Sequence, residues 1–188
     1  MRAGYSRIAF GFLIIAAMAT VWSTVPNRVY AAEGKIGVVN TQKIMSDSLA
    51  AKSIQTQLEK QRKIFQDEFS KLERELVDKE KSLVDLRGKI SAEEFEKKGQ
   101  EYKDEVLRIQ KLEQQRKQAL EQAVGVALNE LRGKVFEIVN DIAEKEQYEM
   151  VVGNQNVMWS KKEMDITDAV MARLDKSLKQ VDLKVGTN

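Results

Sequence analysis

Side chains that could support acid–base, nucleophilic or metal chemistry are sparse in this chain, whose 188 residues include no histidine and no cysteine. It therefore has no imidazole base, no thiol nucleophile and no histidine or cysteine ligand for a zinc site. Neighbouring carboxylates such as Glu93 and Glu94 have no partner that indicates general acid–base catalysis. The phosphate-binding pattern GxxxxGK[ST] does not occur either. The sequence thus predicts a protein that is not an enzyme and that needs no metal and no cofactor.

Charged residues are numerous but balanced. The chain has 31 basic and 29 acidic side chains, a formal charge of +2. Nucleic-acid-binding proteins usually carry a clear basic excess, so this balance argues against a nucleic-acid partner. Without cysteine there are no disulfides, and stability must come from packing, helix length or oligomerisation.

The first 31 residues are typical of a signal peptide. Arg2 and Arg7 precede a mostly apolar run from 8 to 22, and Val29 and Ala31 suit the −3 and −1 positions of a cleavage site after Ala31. The alternative is an uncleaved membrane anchor, although a spanning helix needs about 20 apolar residues and this run is shorter. Cleavage would remove three arginines and the only proline, so 28 basic and 29 acidic side chains would leave the exported chain with a net charge of −1.

After the leader, the sequence predicts a strand followed by a long helix. Lys35–Val39 is a short run rich in β-branched residues, bounded by Gly34 and Asn40. Either Asn40 or Thr41 can cap the helix that follows. From there to Ile90 the chain consists mainly of good helix formers.

An apolar repeat of seven residues runs through this helix. Its two columns, offset by four residues, are Leu58, Phe65, Leu72, Lys79 and Leu86, and then Arg62, Phe69, Leu76, Leu83 and Ile90. Eight of the ten positions are apolar, which is the narrow stripe of a coiled coil rather than the broad face of a globular helix. We interpret Arg62 and Lys79 as side chains that extend to solvent or set the register.

A second long helix is predicted to begin at Ser91, which forms a capping box with Glu94, and to end at about Gln147. Its apolar columns are Phe95, Tyr102 and Ile109 with Val106, and then Val124, Leu131 and Ile138 with Leu128, Val135 and Ile142. Two such helices joined by a turn near 88–92 predict an antiparallel hairpin. We expect residues 52–117 to form an arm that projects, because one thin seam cannot make a globule.

Residues 32–51 and 118–188 are predicted to form a small β-containing body with the roots of the arm. Tyr148–Val152 and Gln155–Ser160 are expected to pair as a hairpin across Gly153-Asn154. A final helix should follow, with Asp165 or Thr167 as its cap. The expected core of the body is Ile36, Val38, Val151, Val152, Val157 and Trp159. Because such a body offers little core to one chain, oligomerisation is expected. The predicted fold class is α+β, mainly α.

The order and spacing of these segments resemble the Skp (OmpH-like) periplasmic chaperones from residue 32 to about 178. The matching segments are Lys35–Asn40, Ile44-Met45, Ser48–Ala51, Tyr148–Val152, Val157–Trp159 and Asp165–Val170. The resemblance implies a jellyfish-like homotrimer in which three chains pool their strands in one body and three hairpin arms enclose a cavity.

The resemblance also implies a function: an ATP-independent periplasmic holdase that binds unfolded outer-membrane proteins and prevents their aggregation. The implied partners are unfolded outer-membrane β-barrel proteins, further copies of this chain, and anionic lipid or lipopolysaccharide. The arm is slightly basic, with 17 basic and 15 acidic side chains in 52–117. We expect its aromatic residues to be shared between packing and client contact: Phe65, Phe69, Phe95 and Tyr102. The alternative is a structural coiled-coil spacer or adaptor of the cell envelope without chaperone activity.

Overall fold

The structure is a computed structural model that describes residues 34–186. Its long elements are β1 (Lys35–Val39), α1 (Thr41–Asp47), α2 (Leu49–Leu86), α3 (Ala92–Glu146), β2 (Tyr148–Gly153) and α4 (Thr167–Ser177). The mainly helical α+β fold is as predicted. None of the helices in 34–186 is long and apolar enough to cross a membrane. The predicted leader and its cleavage site lie outside the described residues.

The two strands pair in parallel, with Ile36 opposite Met150 and Val38 opposite Val152. Parallel strands need a crossover connection, and here the crossover consists of α1, α2 and α3. The other edge of β1 meets the start of α4, where the Ile166 N–H donates to the Val38 carbonyl at 2.9 Å. β1 is therefore held between two segments that are far away from it along the chain.

The predicted hairpin of Tyr148–Val152 with Gln155–Ser160 is wrong. A tight two-residue hairpin turn needs positive φ at its centre, but Gly153 is extended, with φ −70° and ψ 137°. Asn154–Asn156 instead forms a 3₁₀ turn, in which the Val157 N–H donates to the Asn154 carbonyl at 3.0 Å. Within residues 34–186 the sheet accordingly has two strands rather than the three expected.

The first predicted helix is interrupted near its start. Asn40 is its cap, since its side-chain oxygen accepts from the Lys43 N–H at 2.9 Å. Ser48 then separates α1 from α2, because its extended backbone breaks the helix while its hydroxyl accepts from the Ala51 N–H at 3.2 Å. The break is stabilised from α4, where Asp175 accepts from the Leu49 N–H at 2.8 Å.

The turn between the long helices occupies residues 87–91. Gly88 has φ +76°, a conformation that glycine adopts without steric cost. The predicted capping box is confirmed: Ser91 Oγ accepts from the Glu94 N–H at 3.2 Å, and the Glu94 carboxylate accepts from the Ser91 N–H at 3.3 Å. The N-cap of α4 is Ile166, which makes no side-chain capping bond, so the prediction of Asp165 or Thr167 as the cap is wrong. Asp165 lies one residue earlier and accepts from the Thr167 N–H at 2.8 Å.

The buried core lies at the base of the two long helices. It joins α1 and the start of α2 to the C-terminal half of α3, to α4 and to the segment after α4. Its fully buried large side chains are Ile44, Leu131, Ile142, Val170, Leu174 and Val181. Between residues 55 and 108, by contrast, no residue is buried. The hydrophobic stabilisation of the chain is therefore concentrated at the base.

The buried face of α3 departs from the predicted seven-residue repeat. Four of its six members in the second half of α3 are buried: Leu131, Val135, Ile138 and Ile142. The other two, Val124 and Leu128, are only half-buried, whereas Ala123 and Ala127 are buried although the repeat does not include them. The regular feature is a spacing of eleven residues, which relates the buried side chains Ile109, Leu120, Leu131 and Ile142. Eleven residues make three turns at about 3.67 residues per turn, close to a straight helix. This half of α3 therefore packs as a core helix rather than as half of a left-handed coiled coil.

Replacing Leu131 by alanine should test where the stability resides. Leu131 is fully buried, and Leu131→Ala should lower the free energy of unfolding by about 2–5 kcal/mol because it leaves a cavity. Leu107→Ala, on the same helix at a side chain that is 62% exposed, should cost less than about 0.5 kcal/mol. Urea unfolding followed by circular dichroism measures both, and equal losses would contradict a core confined to the base.

Candidate functional site

The helices α2 and α3 lie side by side and antiparallel, and two ion pairs relate them. Lys79 on α2 lies 3.3 Å from the Glu105 carboxylate on α3. Nearer the base, Arg116 on α3 lies 3.7 Å from the Glu68 carboxylate on α2. Glu68 and Lys79 are eleven residues apart on α2, and Glu105 and Arg116 are eleven residues apart on α3. Both pairs therefore belong to one antiparallel register.

The predicted seam of α2 is present as a half-buried stripe. All eight apolar members of its repeat are half-buried: Leu58, Phe65, Phe69, Leu72, Leu76, Leu83, Leu86 and Ile90. The two basic members, Arg62 and Lys79, are exposed, and Lys79 reaches across the seam to Glu105. Both side chains therefore extend to solvent, as predicted, and Lys79 also pairs across the seam.

Glu105 is the centre of a polar layer in the outer part of the seam. Arg108 donates two hydrogen bonds to its carboxylate, from Nε and Nη2, each at 2.8 Å. Lys79 Nζ donates a third at 3.3 Å. The hydrogen bonds from Arg108, aided by Lys79 and partly opposed by desolvation, lower the pKa of Glu105 to about 2. The carboxylate thus stays ionised and ties the two helices together at this level.

Arg116 forms a second polar layer nearer the base. Its guanidinium lies 5.5 Å from the centre of the Phe65 ring, a cation–π distance, and also contacts Glu68. Its Nε is buried and has no hydrogen-bond partner within the described part of the chain. The arginine is therefore held by its aromatic and carboxylate neighbours at a point where apolar packing is incomplete.

Two open clefts lie along the hairpin. The root cleft has a volume of about 460 Å³ and is lined by Leu58, Arg62, Phe65, Phe69, Glu113, Arg116, Lys117, Leu120, Glu121 and Val124. The tip cleft has a volume of about 350 Å³ and is lined by Asp78, Lys79, Ser82, Leu83, Leu86, Lys98, Glu101 and Tyr102. Both combine apolar side chains from the seam with charged side chains of both signs.

The four aromatic residues predicted to contact clients are all half-buried. Phe65 and Phe69 share the root cleft, and Tyr102 lines the tip cleft. Phe95 lines neither of these clefts. The structure thus distributes the four residues along the hairpin rather than gathering them at one site, and their role in client contact stays a prediction.

Exposed aliphatic side chains on the hairpin were not predicted. Ile64, Val77 and Val84 on α2 and Leu107 on α3 are all exposed. They lie outside the seam columns, and the seven-residue step from Val77 to Val84 beside the seam is the signal that could have identified them. These side chains give the hairpin apolar surface that its own packing does not use.

The residues predicted to form the core of the body divide into three groups. Val38 is buried, Val151, Val152 and Val157 are half-buried, and Ile36 and Trp159 are exposed. Trp159 is 78% exposed, so one chain alone does not bury it, and its place in the core of an oligomeric body stays a prediction. The cause of this exposure is the failed hairpin, because the segment around Trp159 does not pair with β2 in this chain.

The clefts and the exposed aliphatic residues offer a surface on which an apolar chain can bind. Within residues 34–186 no group of histidine, cysteine or acidic side chains is arranged to hold a metal ion. Open clefts lined by both apolar and charged side chains, together with single exposed aliphatic residues, can make many weak contacts with an apolar chain.

Most of the described chain matches a known protein family. Residues 35–174 fit the model of the family described as outer membrane protein (OmpH-like). This chain belongs to the OmpH-like family. The family resemblance predicted from the sequence is therefore confirmed.

A solved structure has the same fold. The crystal structure of a candidate outer membrane chaperone (OmpH-like) from Caulobacter crescentus superposes with a TM-score of 0.77 at 19% sequence identity. The match covers 84% of this chain and 93% of that one. At this identity the likeness concerns the fold alone. No curated protein matches the sequence.

The polar layer around Glu105 predicts a dependence of stability on pH. Because folding lowers the pKa of this carboxyl from 4.5 to about 2, its contribution is complete above pH 4.5 and is lost as the pH falls towards 2. The wild type and Glu105→Gln should therefore differ most in free energy of unfolding above pH 4.5. The difference should shrink as the pH falls and vanish near pH 2. Urea unfolding across this range measures it.

Glu80→Gln, at an exposed position on α2, is the matched control and should show no such trend. A difference between the wild type and Glu105→Gln that stays constant throughout the acid range would contradict the role assigned to the charge of Glu105.

Proposed function

We propose that this protein is an ATP-independent holdase of the periplasm, which binds unfolded outer-membrane proteins and keeps them from aggregating. The observation that carries the proposal is the surface of the hairpin formed by α2 and α3. Its clefts and exposed aliphatic residues provide apolar surface among many charged side chains, in a part of the chain where no residue from 55 to 108 is buried. Membership of the OmpH-like family and the fold of a candidate outer membrane chaperone support it.

The chemistry of such clients matches this surface. Before insertion, a membrane β-barrel exposes alternating apolar side chains and unpaired strand edges, which makes it prone to aggregate. The clefts and the side chains of Val77, Val84 and Leu107 would contact the apolar residues, while the charged rims keep the complex in solution. Because each contact is small, the client is held by many weak interactions and remains free to leave.

The body supports the proposal of a homotrimer. Met158 is fully exposed and Trp159 largely so, and Met150 and Ile36 are exposed side by side on paired strands. Such side chains are unusual together on a monomer and typical of an interface. In the proposed trimer three bodies cover these residues, and the arms project from the assembly around a shared cavity.

Two further features belong to the same proposal. Export depends on the leader that we predict to be cleaved after Ala31.

Anionic lipid or lipopolysaccharide is a second predicted partner, supported by the excess of two positive charges in residues 52–117.

Aggregation of an unfolded outer-membrane β-barrel protein, followed by light scattering after dilution from urea, tests the function. The exported chain should suppress the aggregation at about one trimer per client. Val77→Gln, Val84→Gln and Leu107→Gln combined should raise the protein needed several-fold, because they remove exposed apolar surface without touching the base core.

The matched control combines Glu80→Gln, Lys97→Gln and Gln110→Asn, which change exposed residues on the same helices, keep the net charge and remove no apolar side chain. It should suppress aggregation as the wild type does. Failure of the wild type to suppress aggregation would favour a structural spacer of the envelope. Equal loss in both triple variants would contradict client contact through the aliphatic residues.

Fluorescence of Trp159 tests the trimer. The sequence has two tryptophans, Trp22 in the leader and Trp159 in the body, so the exported chain carries Trp159 alone. In the trimer its emission should be shifted to the blue and protected from acrylamide, and dilution to the monomer should reverse both effects. Emission that is exposed at every concentration would contradict burial of Trp159 between subunits.

A further inference from the structure

A long uncharged face lies on the outside of α3, opposite the side that packs into the base core. Its residues follow the three-and-four spacing of one helix face and are all exposed: Gln115, Gln118, Gln122, Gly125, Val126, Asn129, Gly133, Phe136 and Asn140. We call this face the outer stripe. In a chain of which 32% is charged, an uncharged face of this length with this spacing is typical of a helix that pairs with another helix.

The apolar members of the outer stripe remain open to solvent in the described chain. Phe136 is 68% exposed and Val126 is 60% exposed. The segment after α4 lies beside the first part of the stripe, where Asp182, Lys184 and Gly186 line an open cleft with Gln115, Gln118, Gln122 and Val126. From Asn129 to Asn140 the stripe lines no part of this cleft. A single exposed apolar residue needs no explanation. Here the two side chains share one face with two glycines, which makes the face smooth as well as uncharged.

The glycines have no role within one chain. Gly125 and Gly133 are in the middle of α3, where glycine costs about 1 kcal/mol relative to alanine. Neither has positive φ, and no other described part of the chain comes within 4 Å of the position that a Cβ would take. Close approach of another backbone is one reason for glycine at such a place. Gly99, in the arm part of α3, is equally open, so the glycines support a contact only together with the uncharged face on which they lie.

The outer stripe ends where the arm begins. Toward the tip of the hairpin the same face of α3 continues through Lys111, Arg108 and Asp104, which are charged and exposed. The uncharged part thus coincides with the half of α3 that the base core holds on its other side. A partner on this face would contact the body of the protein and leave the arms apart.

We propose that the outer stripes of α3 from separate copies of this chain pack against one another, in parallel, in the oligomer. The inference rests on the proposed homotrimer and assigns it a helical interface in addition to the exposed residues of the body. From Gln115 to Asn140 the stripe is about 39 Å long. With a width of about 10 Å, a helix diameter, it covers roughly half of the ~800 Å² per partner of a standard interface. The remaining area would have to come from other exposed side chains of the body, such as Met150, Met158 and Trp159.

A second copy fits this face better than a client does. An unfolded client has no regular helix, so its side chains would not match the helical spacing of the outer stripe. It would also gain nothing from the glycines, whose advantage is that a second helix can approach closely. A parallel copy brings the same residues level with one another, so that Asn129 faces Asn129 and Gly133 faces Gly133.

The absence of cysteine from the sequence allows the contact to be tested by single-cysteine cross-linking of the exported chain. Gln122→Cys, in the outer stripe, should form disulfide-linked dimers on mild oxidation, because disulfides need Cα atoms within about 7 Å. Glu121→Cys, beside the stripe, and Asp104→Cys, on the same face in the arm, are the controls and should remain unlinked. Non-reducing electrophoresis measures all three.

Native mass spectrometry of the same samples separates the possible failures. An intact trimer in which Gln122→Cys does not cross-link, or links no better than the controls, would overturn the helical interface and leave the trimer standing. A monomer would overturn both. Suppression of aggregation, measured in parallel, reports on the holdase proposal independently of either result.

Gly133→Leu gives a second readout. In one chain leucine has open space at this position and is a better helix former than glycine, so the fold should be unharmed. If backbones approach closely here, the larger side chain should shift the trimer toward monomer on dilution. Unchanged dissociation of the variant would contradict the proposed contact.

Discussion

The seam between α2 and α3 leaves nearly all of its side chains only half-buried, and the rest of the structure depends on this constraint. From residue 55 to 108 every apolar contact is partial, so the hairpin gains little from burial and cannot set its own register by shape alone. The ion pairs of Glu105 with Lys79 and of Arg116 with Glu68 join the two helices at two levels and so help to fix their register. Removing one charged partner there would leave the other without its ion pair.

The base of the molecule supplies the buried apolar core that the seam lacks. Its core brings together segments from both ends of the described chain, and β1 pairs with β2 only because the hairpin returns the chain to its starting point. Gln57 adds a link at the root of α2, donating to the Val181 carbonyl at 2.7 Å and accepting from the Leu183 N–H at 2.9 Å. A rigid base can therefore carry a weakly packed hairpin, which keeps apolar side chains available to a partner.

Local signals predicted the features that depend on neighbouring residues. The capping box at Ser91 and the seam of α2 need only short-range chemistry, and both are present. The hairpin after β2 failed because Gly153-Asn154 allows a tight turn without requiring one, and the parallel pairing of β1 and β2 depends on contacts across the whole crossover. The base core was only partly predicted, since small residues such as Ala123 and Ala127 carry a weak apolar signal.

The two halves of α3 show how one helix can serve two purposes. In its outer half one face is half-buried against α2 and the opposite face is charged, which suits a solvent-exposed arm. From about Leu120 onward the side that faces the base becomes almost completely buried, and the opposite face loses its charges at nearly the same place. A change confined to one side would reflect the packing of a single chain. Because both sides change together, the boundary is where, in the proposed oligomer, the helix leaves the shared body and becomes an independent arm.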